Sequence, residues 1–156
     1  MSGFPPIRTP RSPSGWTMAV FGALAALLGV VGLVAPESLI GAMGLEPLGS
    51  AHRPPTDHTR TFITASSMAA LNMGVYYVLA AFANWRAFFI WTVPFRLLTC
   101  AVFTLAVVSG RAPTPFVGVG VWEGAGALAT AIALRAEHRR RLATLPEPAP
   151  TARRES

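Results

Sequence analysis

The chain has 156 residues, of which 52% are apolar and only 13% charged, and its mean hydropathy is +0.46. Soluble domains carry about 25% charged residues, so the composition excludes a disordered chain, argues against an ordinary water-soluble domain and points to an integral membrane protein. The net charge of +6 comes from 13 basic residues, all arginine, against 7 acidic ones. Most arginines lie outside the apolar runs, where they orient a chain in a bilayer, so no nucleic-acid partner is expected.

Residues 1–15 are rich in proline, glycine and serine and carry Arg8 and Arg11, which predicts a disordered basic tail. Trp16 to Ala35 is an uncharged run of the length a helix needs to cross a hydrocarbon core of about 30 Å. It exceeds the 7–15 apolar residues of a typical signal peptide, so an uncleaved helix is expected at about 16–35. Residues 36–43 read as a short amphipathic helix opened by Pro36 and Glu37, with Gly44 as its C-cap. The polar stretch from Glu46 to Arg60 predicts a loop outside the membrane.

Three more helices are expected at about 61–82, 87–108 and 116–134, joined by tight turns at Asn84–Arg86 and Ser109–Pro115. An Arg/Pro-rich tail covers 137–156. A soluble bundle would show a polar helix face every 3.6 residues; the first run shows none and the others only isolated polar residues. The expected fold is therefore all-α, an integral-membrane antiparallel four-helix bundle spanning 16–136. The even number of spans puts both termini on one side together with nine arginines, against three on the other. The positive-inside rule makes that side the cytoplasm, giving a multi-pass inner-membrane protein, N-in and C-in.

Two charges break the pattern. Arg96 and Glu123 lie within apolar runs, where a charge at the bilayer centre costs at least about 2.5–3.5 kcal/mol. Arginine stays protonated, so Arg96 needs an acceptor, and Glu123 is the only acidic residue inside a run. From the intervening turn, Arg96 lies about 20 Å deep and Glu123 about 12 Å deep at a rise of roughly 1.5 Å per residue. The gap is close to the combined reach of the two side chains. A bridging water or Asn72, at mid-depth on the second span, would complete the cluster. It falls on a helix face with Thr61, Thr64, Met68 and Tyr76, while Thr92, Arg96 and Thr99 form a polar stripe on the third span. Gly120 and Gly124 make a GxxxG pattern beside Glu123 that lets another helix approach.

This cluster has three readings: a structural clamp between helices, a site for a ligand or proton, or a contact with another subunit. Tyr76, Tyr77, Trp91 and Trp122 are aromatic candidates for a lipophile pocket, as well as ordinary packing or lipid-facing residues. The lone Cys100 excludes an internal disulfide or CxxC redox pair. His52 and His58 near Asp57 are too few for a framed metal site, and no metal is expected. No phosphate-binding loop or catalytic motif is present, so no catalytic residue is assigned.

The segment LLGVVGLVAPESLIGAMGLEPLG, the pair Asn72 and Gly74, Arg96 in mid-helix and VGVWEGAGAL around Glu123 together resemble the DoxX-like group of small four-helix bacterial membrane proteins. The resemblance spans about 16–136 and implies the same antiparallel bundle. Some members of that group are subunits of a thiosulfate–quinone oxidoreductase, but no redox motif carries that activity to this chain. The expectation is a non-enzymatic accessory or structural subunit, partnered by membrane lipids and by a second copy or another membrane subunit. The alternatives are a quinone- or lipid-binding, redox-linked subunit and a proton-coupled dimeric transporter using Glu123. No cofactor is required by the sequence.

Overall fold

The computed structural model describes residues 9–49, 54 and 56–144. Within them the chain is helical, with no strand: α1 Pro13–Val34, α2 Pro36–Ala42, α3 Thr59–Phe82, α4 Arg86–Val108, a 3-10 turn Thr114–Phe116 and α5 Val117–Ala143. Four helices, α1, α3, α4 and α5 with its leading turn, are long and apolar enough to cross a membrane.

The helix boundaries follow local chemistry. Ser12 caps α1, its hydroxyl accepting from the Gly15 N–H at 3.1 Å, and Pro13 takes the first-turn position where a missing N–H is harmless. The helix therefore begins three residues before the apolar run. Pro36 breaks the chain into α2, and Gly44 leaves it in the left-handed region at φ 64°. Asp57 accepts from the Thr59 N–H at 2.8 Å where α3 starts. Asn84, at φ 50°, makes the tight reversal into α4.

The largest difference from expectation is at the C-terminal side. The apolar run ends at Leu134, but α5 continues to Ala143 through a stretch expected to be tail. Apart from His138, the continuation is built from arginine, alanine, glutamate and leucine, all good helix formers. An apolar run marks where lipid ends, not where hydrogen bonding ends. Residues 1–8 and 145–156 of the expected tails, and His52 and Arg53 of the loop, lie outside the described residues.

α1 packs on α3 and α4 on α5, each pair running in opposite directions, and α1 also packs on α5. The α1–α3 contact is made backbone to backbone. A Cβ on Gly29 would lie 2.5 Å from the Leu71 nitrogen, and one on Gly74 would strike the backbone of Ala26. Small residues allow such approach, and in lipid this packing replaces the hydrophobic effect as the cohesive force. Between α4 and α5, a Cβ on Gly120 would meet Thr104 Oγ1, and one on Gly124 the Cys100 sulfur, each at 3.1 Å.

At the end where α1 begins and α5 ends, polar groups tie three helices. Glu137 accepts from the Ser14 N–H at 2.8 Å and pairs with Arg86 at 2.5 Å. One turn on from Ser14 along α1 and two turns back from Glu137 along α5, the hydroxyls of Thr17 and Thr130 bond at 3.1 Å. Leucine, isoleucine and phenylalanine side chains point outward all round, as on a lipid-facing surface.

Candidate functional site

Arg96 sits in the middle of α4, two residues after Pro94. That proline has no N–H to give the Ile90 carbonyl one turn back, which loosens the helix there. The Arg96 side chain is 3% exposed and crosses to α5, where its Nε donates to Glu123 Oε2 at 2.7 Å. The register explains the contact: Gly120 faces Thr104, Gly124 faces Cys100, and Gly126 faces Arg96. Close α4–α5 packing thus brings the carboxylate to the guanidinium across the expected difference in depth.

All four long helices hold this guanidinium. Its carbon lies 4.3 Å from the Phe21 ring centroid on α1 and 5.8 Å from that of Tyr77 on α3. A cation over an aromatic face gains about 0.5–2 kcal/mol, more when desolvated. Gly126 also abuts it, and even a methyl group there would collide with it. Phe21 in turn packs against Trp122 with ring centroids 4.7 Å apart.

These contacts fix the plane of the guanidinium but leave most of its edge unused. Arginine has five N–H donors, and Nε–H is the one with a hydrogen bond; Nη1 is buried with no partner. Glu123 likewise has one oxygen engaged, and its side chain is 22% exposed.

The pair forms the polar end of a cavity of about 500 Å³ whose other walls include Ala25, Met73, Tyr77, Phe95, Thr99 and Trp122. Ligand pockets fall in the range of about 300–1,000 Å³ and combine apolar walls with few polar groups. Near their connecting turn, α3 and α4 touch through Tyr77 and Phe88. Farther from the turn they part, and the cavity lies between them with exposed Met73 and Phe95 on its walls.

Of the residues expected to gather, Arg96, Glu123, Thr99 and Trp122 line the cavity, and Thr92 is buried one turn from Arg96. Asn72 and Tyr76 are not with them. Both are exposed on the opposite side of α3, with Thr61, Thr64 and Met68. The expectation that this polar stripe faces inward is corrected. The close contact with the α1 glycines selects the small residues of α3, so Ser67 and Gly74 turn inward, and Tyr77 replaces Tyr76 at the site. Trp91 is also exposed. Phe21 and Gly126 were missed because a phenylalanine or a glycine in an unbroken apolar run carries no distinguishing signal.

The Glu137 cluster was missed too, hidden in a segment read as tail. Past the apolar portion of α5, partial burial pushes the Glu137 carboxyl up, but hydrogen bonds from Ser14 and Arg86 outweigh it and hold the group below its ordinary value. Among the described residues no group of three potential metal ligands gathers; His58 is exposed.

Comparison of the chain with protein-family models, with curated proteins and with solved structures gave no match.

Proposed function

We propose that this protein is a small multi-pass membrane protein that holds a lipophilic molecule with an oxygen-bearing head, such as a quinone or a lipid, in the cavity at Arg96 and Glu123. The observation that carries this reading is the buried guanidinium: fixed by ring faces and one carboxylate oxygen, it keeps donors unmet beside an apolar cavity. A carbonyl or ester oxygen would satisfy them, and the free carboxylate oxygen would accept from a hydroxyl. The role is binding, with no catalytic group assigned. The four long helices are read as an antiparallel bundle in a bacterial inner membrane. The nine-to-three arginine bias supports placing both termini in the cytoplasm. The DoxX-like grouping remains a proposal resting on residue layout alone.

The test uses decylubiquinone as probe and tryptophan fluorescence as readout, since Trp122 lines the cavity. The wild type should quench saturably. Arg96→Gln removes a charge-assisted donor worth about 1.5–3 kcal/mol, so affinity should fall at least about tenfold. Glu123→Gln should weaken binding as well. Equal, non-saturating quenching in wild type and both variants sinks the proposal.

A second reading, an accessory subunit that assembles with a second copy or another membrane protein, is favoured by Asn72. This amide lies in an apolar span, exposed and without a hydrogen-bond partner among the described residues. In lipid, such an amide is best satisfied by a neighbouring helix.

A further inference from the structure

A second concavity lies between α4 and α5, on the side of Arg96 away from the cavity and nearer the end where α5 terminates. Its volume is about 480 Å³. Val93 and Pro94 on α4 and Ala131 and Leu134 on α5 form an apolar floor, and Arg135 and Arg139 stand at its rim. We infer that this groove binds one anionic phospholipid, with an acyl chain along the floor and the phosphate between Arg135 and Arg139.

The argument begins with helix periodicity. Ala131, Leu134/Arg135 and His138/Arg139 recur at three- and four-residue spacing, so they share one face of α5. Along that face the chemistry changes from apolar to cationic at Leu134–Arg135, where the lipid-compatible run ends. A phospholipid changes from chain to phosphate over the same boundary and in the same direction.

Charge decides which phospholipid. Arg86 also borders the groove, but its charge is met by Glu137, which in turn is held by the Ser14 N–H. Arg135 and Arg139 have no acidic partner among the described residues. Two uncompensated guanidiniums therefore flank the mouth of an apolar slot. A zwitterionic lipid brings its own cation into this field, whereas an anionic one does not. A topology signal alone does not require this placement: Arg140 and Arg141, in the last turn of α5, mark the same side and complement the helix dipole without lining the groove.

Native mass spectrometry of the full chain in mild detergent, titrated with phosphatidylglycerol or phosphatidylcholine, tests the inference. Phosphatidylglycerol should be retained more strongly. Each rim arginine near the lipid phosphate contributes about 1 kcal/mol, so retention should fall about fivefold for Arg135→Gln or Arg139→Gln alone. Arg140→Gln with Arg141→Gln should behave as wild type. Ala131→Leu, which fills the floor and keeps the charges, should also reduce retention. Equal retention of the two lipids by the wild type overturns the inference. So does an equal loss in the Arg140/Arg141 variant, which would mean diffuse attraction, or displacement of the lipid by excess inorganic phosphate, which would mean that the chain slot contributes nothing.

Discussion

Replacing Gly126 by alanine should damage the Arg96 site without touching a charged residue. The added methyl would overlap the guanidinium, whose Cζ and both Nη atoms are its nearest neighbours. To reach ordinary van der Waals distance the group must retreat by about 1 Å. Retreat lengthens the 2.7 Å bond to Glu123 and displaces the charge from the Phe21 face. A charge-assisted hydrogen bond contributes about 1.5–3 kcal/mol, and the cation–ring contact about 0.5–2 kcal/mol. Partial loss of both places the destabilisation at about 2 kcal/mol. Ordinarily glycine to alanine within a helix is favourable by about 1 kcal/mol, so the sign itself is diagnostic. The assay is thermal unfolding in one detergent, carried out as a double-mutant cycle with Arg96→Met. In the methionine background the methyl has no guanidinium to meet, so Gly126→Ala should be neutral or stabilising. The reasoning is refuted if Gly126→Ala stabilises the otherwise wild-type chain, or if its effect is the same in both backgrounds.

Three other outcomes are expected. Gly74→Val places a branched side chain against the α1 backbone, which cannot yield as a side-chain tip can; the variant should lose its monodisperse, cooperatively melting form in detergent, and normal melting would contradict the described α1–α3 contact. Glu137→Gln should lower the melting temperature, since removing charge from the contact with Arg86 and Ser14 weakens both bonds by a total of about 1–3 kcal/mol. Because the folded Glu137 carboxyl titrates below its ordinary value, its contribution is fully present above the unfolded value and is lost as pH falls through the lower folded value; in the variant that acid-side decline should be smaller. Asn72→Leu should weaken self-association by about 0.5–2 kcal/mol, measured as energy transfer between labelled copies in liposomes, and unchanged transfer would remove the argument for a second copy at that face.

The four spans were legible because the signal for them is compositional: a run of about 20 residues without charge admits few alternatives. Arg96 and Glu123 were legible for the converse reason, as rare exceptions in such runs. What failed was the rotation of α3. In a soluble helix, polarity tells which side faces water, and Asn72 with its threonines would have been assigned by that rule. In lipid the packing side is chosen by how closely backbones can approach, so the informative residues of α3 are Ser67, opposite Gly29 and Gly32 of α1, and Gly74, opposite Gly22 and Ala26. Reading the small residues first would have turned α3 correctly and brought Tyr77 inward. The span of α5 beyond Leu134 was lost for a related reason: hydropathy locates the membrane boundary, while helix propensity continues across it.

The treatment of polar groups inside the apolar segments bears directly on the choice between a clamp and a binding site. Thr17 and Thr130 answer each other, and the Thr99 hydroxyl bonds the Phe95 carbonyl at 3.1 Å. These are complete arrangements that ask for nothing further. Arg96 differs. A guanidinium serving only to join α4 to α5 would be best closed by a second acceptor from α1 or α3, with the surrounding space filled. Those helices instead present aromatic ring faces, which restrain the group's plane without consuming its donors, and the space beside it is open. The bond to Glu123 already secures the two helices, so unmet donors held rigidly beside an open apolar volume gain nothing for the clamp. On the proposed binding role they would lower the ordering cost for an entering oxygen, because the donors would already be in place when it arrives.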